Sequence, residues 1–261
     1  MKSIPAIALL LICLAGPAHA QNFYALAKEK GCESVMPSLR DECEKLDGAK
    51  SKACASEGNC EIGEHQSQIA EYKDAKERLE KGEVNESDKA TLQTRIDKMK
   101  GELDARKAAA EANERAARSC ADARQAVYDF FGSKVMPETD RAASDAASRR
   151  KTLVEELEKA KDNARAAKDE RDTLAGADPE TDRARWEEYN KAKDEYDGAT
   201  EAARQAENNL GQFNSASGDD PADGGKRLLD YYKREQEGHK IAIDEQKLRS
   251  ENCGKVEYMS Y

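Results

Sequence analysis

The cysteines and histidines are the residues of this 261-residue chain whose types and spacing could support metal chemistry. Cys43, Cys54, Cys60 and His65 lie close together in the sequence, and thiolate and imidazole groups are the usual protein ligands of zinc. Their spacing matches neither a C-x2-C pair nor an H-E-x-x-H motif. We therefore expect no metal site and no cofactor.

Disulfide bonds are the alternative use of these cysteines. The first cysteine, Cys13, falls in a segment that we interpret below as a signal peptide. An even number then remains, which in an oxidising compartment indicates three disulfides with fifteen alternative connectivities. The six predicted disulfide cysteines are Cys32, Cys43, Cys54, Cys60, Cys120 and Cys253. Four of them fall in residues 21–62, which we predict to be a disulfide-stapled cap.

Sequence motifs of catalysis are missing. The chain contains no G-x-S-x-G or G-x-G-x-x-G motif and no phosphate-binding loop. Paired carboxylates such as Glu155-Glu156 fall among Lys and Arg on outward faces, where they are expected to be solvated ion-pair partners. We expect His239 to lie at a partly buried helix interface. The prediction is a protein that is not an enzyme.

The amino-terminal segment has the organisation of a signal peptide. Lys2 precedes an apolar run over 7–14, and Ala18-His19-Ala20 forms an A-x-A cleavage site. We expect cleavage after Ala20, which removes residues 1–20. No later stretch reaches membrane length, so we predict an exported protein, periplasmic or secreted, without an integral membrane span.

The composition restricts the fold and the partners. Charged residues make up 37% and aromatic residues 5%, the mean hydropathy is −0.94 and the net charge is −10. Such a chain cannot build a thick globular core, and abundant Ala with heptad spacing predicts long helices with narrow seams. The acidic balance argues against nucleic acid and anionic membranes and favours a basic protein partner.

Residues 137–213 carry the strongest pattern, an antiparallel coiled-coil hairpin that turns at Asp178. Small and apolar residues recur at steps of three and four on both sides of this turn. The predicted seam consists of Ala143, Ala146, Leu153, Leu157, Ala160, Ala164, Ala167 and Leu174, facing Tyr189, Ala192, Tyr196, Ala199, Ala203, Ala206, Leu210 and Phe213. Arg150 and Arg171 also occupy this seam, either covering it with their stems or marking where a partner supplies carboxylates.

A first hairpin is predicted over 63–131, with its turn at Gly82. Its two stripes are Ile69, Tyr72 and Leu79, and then Leu92, Ile96, Met99 and Leu103. Gly132 and Pro137 are expected to separate it from the second hairpin. A flexible linker is predicted over 214–225, followed by a carboxy-terminal helix and tail over 226–261.

A six-residue repeat marks two predicted helix starts. Pro137-Glu138-Thr139-Asp140-Arg141-Ala142 recurs as Pro179-Glu180-Thr181-Asp182-Arg183-Ala184. Proline at a first helical position loses no hydrogen bond, and acidic residues in the first turn complement the helix dipole.

The sequence thus predicts an all-α fold of elongated antiparallel hairpins with a disulfide-stapled amino-terminal helical cap. Val127, Phe130 and Phe131 form the most apolar cluster and are the candidate protein-contact face. We expect a non-catalytic coiled-coil scaffold, spacer or protein-binding protein of the cell envelope, with protein partners and with homo-oligomerisation open. The alternative is a periplasmic inhibitor or regulator of an enzyme, acting through the cysteine-rich cap.

Overall fold

The computed structural model describes residues 21–55, 65–218 and 220–254. The signal-peptide prediction, Cys60 and the tail after Gly254 lie outside these ranges. The described chain is helical and contains no strand. Its elements are α1 (Phe23–Leu26), 3-10 turns at Gly31–Ser34 and Pro37–Leu39, α2 (Arg40–Cys54), α3 (His65–Glu80), α4 (Glu86–Phe130), a π-helical turn (Phe131–Val135), α5 (Met136–Leu174), α6 (Arg183–Ser217) and α7 (Pro221–Gly254).

Within the described ranges, no helix combines the length and the apolar character needed to cross a membrane. The helices divide between two compact units. One contains the described residues up to Ser34 with Pro137–Tyr231, and the other contains Val35–Met136 with the chain from Tyr232 onward.

In the second of these units, α3 and α4 form the first predicted hairpin. Its core consists of Tyr72, Ala75, Ile96 and Leu103, with Ile69, Leu79, Leu92 and Met99 packed around them. Leu103 retains only 1% of its surface exposed. Gly82 has a φ of +71°, the left-handed conformation that lets a helix end sharply and reverse. The Arg95 guanidinium pairs with Glu71 across the two helices.

The cysteine-rich region is joined to this unit by packing and by a covalent bond. Helix α2 packs along α4, and Cys54 at its end is disulfide-bonded to Cys120 of α4. The Lys134 ammonium lies 2.7 Å from Glu42 of α2. Cys32, Cys43 and Cys253 are disulfide-bonded as well.

Helix α4 continues through the π turn at Phe131–Val135 into α5. The sequence had instead predicted that Gly132 and Pro137 separate the two hairpins. A π turn leaves backbone carbonyls without their usual partners. Here the Gln236 amide donates to the Tyr128 carbonyl at 3.1 Å, and the Ser133 hydroxyl donates to the Asp129 carbonyl at 2.6 Å. A Cβ on Gly132 would lie 2.6 Å from the Gln236 Nε2 atom, so a side chain at position 132 would displace the Gln236 amide.

In the other unit, α5 and α6 form the predicted coiled-coil hairpin. Every predicted seam residue is buried or half-buried, and Ala143, Leu153 and Ala192 are buried. Contacts run antiparallel from the turn: Arg185 donates to the Thr173 carbonyl, and Lys161 lies 3.6 Å from Glu207. The heptad pattern therefore identified the packed faces of both helices.

The repeated hexapeptide behaves differently in its two positions. Asp182 of the second copy caps α6, because its side chain accepts a hydrogen bond from the Arg185 amide at 3.1 Å. The first copy lies at the start of α5, directly after the π turn, where Pro137 has no N–H to donate. One copy thus begins a free helix and the other continues an existing one.

The segment 214–225, predicted as a flexible linker, is helical over 214–217 and 221–225. Helix α6 ends at Ser217, Gly218 adopts a φ of +87°, and α7 begins at Pro221. Gly218 and Gly224 pack against the amino-terminal segment: a Cβ on Gly218 would lie 2.8 Å from the Tyr24 ring. A Cβ on Gly225 would lie 2.3 Å from the Ala143 Cβ of α5. The glycines permit close packing at this junction.

Candidate interaction surface

The part of α7 from Tyr232 onward has two faces of different character. Its inner face is buried in the unit that contains α2, α3 and α4, and consists of Tyr232, Ile243, Gln246, Ser250 and Cys253. The Tyr232 ring lies 5.6 Å from the Phe131 ring, and the Arg118 Nε atom donates to the Ser250 hydroxyl at 3.1 Å. This face fixes the rotation of α7 about its axis.

The outer face of this part of α7 carries two large aliphatic side chains. Ile241 is 56% exposed and Leu248 is 57% exposed. Residues seven apart lie on one side of an α-helix, about two turns from each other. At 100° per residue, this side is opposite to that of Ile243 and Ser250. The two side chains therefore project outward because the inner face is packed.

The charged residues three and four positions from this pair are all acidic, while the basic residues Lys240, Lys247 and Arg249 lie to either side and Arg234 lies seven residues before Ile241. On a helix surface, the neighbours of a residue lie three and four positions away. For Ile241 and Leu248 these neighbours are Glu237, Gly238, Asp244, Glu245, Glu251 and Asn252. The four carboxylates among them are all exposed. The outer face of α7 thus presents two aliphatic side chains whose charged neighbours along the helix face, at three and four positions, are carboxylates.

The three residues of the predicted protein-contact face lie in the core of their unit. Val127, Phe130 and Phe131 are buried, with 4%, 4% and 5% of their surfaces exposed. Phe131 packs against Phe130, Tyr232 and His239, at 6.0, 5.6 and 6.2 Å between ring centroids. Helix α7 covers this cluster in the folded chain, and its role as a protein-contact face stays a prediction.

His239 is half-buried at the edge of this cluster, in keeping with the partly buried helix interface predicted from the sequence. Its ring stacks on Phe131 with an interplanar angle of 27°. Burial lowers the pKa of His239 below its usual value, and the nearby Lys50 and Arg124 lower this pKa further, with Asp47 acting in the opposite direction. The neutral imidazole is therefore the form that the folded chain favours.

Two of the zinc candidates form disulfides, Cys60 lies outside the described ranges, and His65 is the first residue of α3. Cys43 and Cys54 are disulfide-bonded. Within the described ranges, no group of three or more His, Cys, Asp or Glu side chains is arranged to hold a metal ion. An open groove of about 620 Å³ runs along α6, lined by Glu207, Asn208, Gly211, Gln212, Ser215 and Ala216. These residues share one helix and bring no acid–base pair together.

The two seam arginines are used within the hairpin. The Arg150 Nε atom donates to the Asn214 side chain at 3.3 Å. The Arg171 guanidinium lies 4.3 Å from the centre of the Tyr196 ring and is paired with Asp172. Their stems and charged groups cover the seam, which is the first of the two roles that the sequence allowed.

Sequence reasoning missed the outer face of α7. Apolar residue type alone groups Leu248 with Leu228, Leu229, Tyr232 and Ile243 in the predicted carboxy-terminal helix and leaves Ile241 unassigned. The signal that could have separated them is angular, because Leu248 lies about 140° around the helix from Ile243 at 100° per residue. A seven-residue spacing between two aliphatic residues also links Ile241 with Leu248.

Comparison with known proteins gave no match to a family model, to a curated protein or to a solved structure.

Proposed function

We propose that the protein is an exported, non-catalytic helical scaffold or spacer of the cell envelope that binds another protein. The observation that carries this proposal is the two-faced α7, with a packed inner face and an outer face bearing Ile241 and Leu248. Exposed aliphatic side chains rimmed by charged residues are typical of protein contact sites.

The framework supports a presenting role for this face. The seams of the hairpins are filled by the chain's own side chains, so these helices act as a support. The bond between Cys54 and Cys120 ties α2 to α4 in the unit that also buries the inner face of α7. Disulfides of this kind persist in oxidising compartments, which supports export to the periplasm or the exterior.

The test is recovery of the protein from its native source after mild crosslinking. The wild-type chain should be found in the exported fraction, with its cysteines protected from alkylation, and in a complex larger than the chain alone. The variant Ile241→Ser/Leu248→Ser should be exported equally well but should run without the partner. Reduced cysteines in a cytoplasmic fraction would contradict export, and an uncomplexed wild-type chain would contradict the binding role.

A further inference from the structure

We propose that the outer face of α7 binds a basic amphipathic helix of another protein, through Ile241 and Leu248 and the carboxylates around them. This inference rests on the protein-binding function proposed above and names the partner's chemistry.

The spacing of the two aliphatic residues selects a helical partner. Ile241 and Leu248 repeat at seven residues, the period at which side chains of one helix enter the spaces of another. Both are more than half exposed on a side of α7 opposite to its packed face. A helix laid along α7 can contact both side chains with residues seven apart on its own apolar stripe.

The charges select the sign of that partner. Glu237, Asp244, Glu245 and Glu251 lie three or four positions from the two side chains, whereas the basic residues Lys240, Lys247 and Arg249 lie about 100° to either side of them. Lys and Arg beside the partner's apolar stripe would therefore meet carboxylates at the rim of the contact. Such complementarity selects partners and accelerates association.

The same charges disfavour a second copy of this chain as the occupant. Two copies of the face placed together, parallel or antiparallel, would set Asp244 and Glu245 against carboxylates of the other copy. Juxtaposed like charges cost several kcal/mol across an interface. A symmetric dimer through α7 is consequently the less favourable assembly.

The test uses synthetic helical peptides as probes and the full protein as the receptor. One peptide, about three heptads long, carries Leu at heptad positions with Lys beside them, and its matched control carries Glu in place of Lys. We expect the Lys peptide to bind and the Glu peptide to fail. Binding of the Lys peptide should weaken as salt is raised, because exposed charges are screened.

Two receptor variants locate the binding. Ile241→Ser and Leu248→Ser should each raise the dissociation constant of the Lys peptide about tenfold. This is the loss of affinity expected when part of one buried aliphatic side chain is removed. Asp244→Lys/Glu245→Lys should reverse the preference and bind the Glu peptide better. As a control, circular dichroism and urea unfolding of these variants should match the wild type, because the substituted side chains are exposed.

Absence of Lys-peptide binding would overturn the inference. Equal binding of that peptide to the Ile241→Ser/Leu248→Ser variant would also overturn it, because the contact would then be a general attraction to an acidic chain. Either result leaves a protein-binding function at another surface standing. That function fails separately, if the wild-type chain is recovered without a partner from its native source.

Discussion

Replacing Gly225 by alanine should destabilise the protein, whereas the same replacement at Gly238 in the same helix should stabilise it. A Cβ on Gly238 would meet nothing within 4 Å, so only the intrinsic preference for Ala over Gly in a helix acts there. That preference is worth about 1 kcal/mol in the free energy of unfolding. Gly238→Ala is thus a matched control for the backbone effect.

At Gly225 the new methyl group would lie 2.3 Å from the Ala143 Cβ. Carbon atoms in contact are separated by about 3.5–4.0 Å, so α5 and α7 would have to move apart by more than 1 Å. Overpacking of this kind costs about 1–3 kcal/mol. The free energy of unfolding should therefore be lower for Gly225→Ala than for Gly238→Ala by about the same 1–3 kcal/mol.

The assay is urea unfolding followed by circular dichroism, with amide hydrogen exchange at the start of α7 as a local measurement. A second variant, Gly225→Ala/Ala143→Gly, returns space to the contact and should recover the overpacking term. Equal stability of Gly225→Ala and Gly238→Ala would refute the reasoning, since 214–225 would then tolerate a side chain as a flexible linker does.

Three further predictions concern stability. Leu103→Ala should lower the free energy of unfolding by about 2–5 kcal/mol because it leaves a cavity in the α3–α4 core. Its control, Leu248→Ala on the exposed face, should change this free energy by about 0.5 kcal/mol or less. Similar effects of the two substitutions in urea unfolding would contradict the burial of Leu103. Cys54→Ser/Cys120→Ser opens a bond that spans 66 residues. The chain-entropy model gives a loss of about 4 kcal/mol, and a urea midpoint unchanged from wild type would refute a structural role for that bond. Burial lowers the pKa of His239, so the unfolded chain binds the proton more tightly than the folded chain. The contribution of neutral His239 to the free energy of unfolding should therefore be fully present above the unfolded pKa of about 6.5 and be lost as the pH falls below it. His239→Phe should flatten this part of the stability profile between pH 7.5 and 5.5, and parallel profiles for the variant and wild type would exclude His239 as the cause.

The helical seams could be predicted from the sequence because a period of three and four residues is a local property. All the seam positions identified from that period, including Leu153, Ala192 and Tyr196, are buried or half-buried. The turn at Gly82 was likewise recognisable, since the break in the stripe and the glycine coincide. These features depend on residues near one another in the chain.

The features that were missed depend on contacts between distant residues. Gly224 and Gly225 have a composition typical of a flexible linker, but the Ala143 methyl group in α5 decides that Gly225 is a packing position. The Phe131 region is the most apolar stretch, but α7 covers it, as the ring of Tyr232 shows. The outer face of α7 could be assigned only once its inner face was known.

The most direct test of the proposed function is photo-crosslinking from position 241 in the native source. A benzophenone side chain at Ile241 should give one discrete adduct with another protein, whose crosslinked segment is a basic amphipathic helix. The same group at Glu235, an exposed residue on another side of α7, should give none. Equal adducts from both positions, or none from Ile241, would contradict a specific protein contact on the outer face of α7.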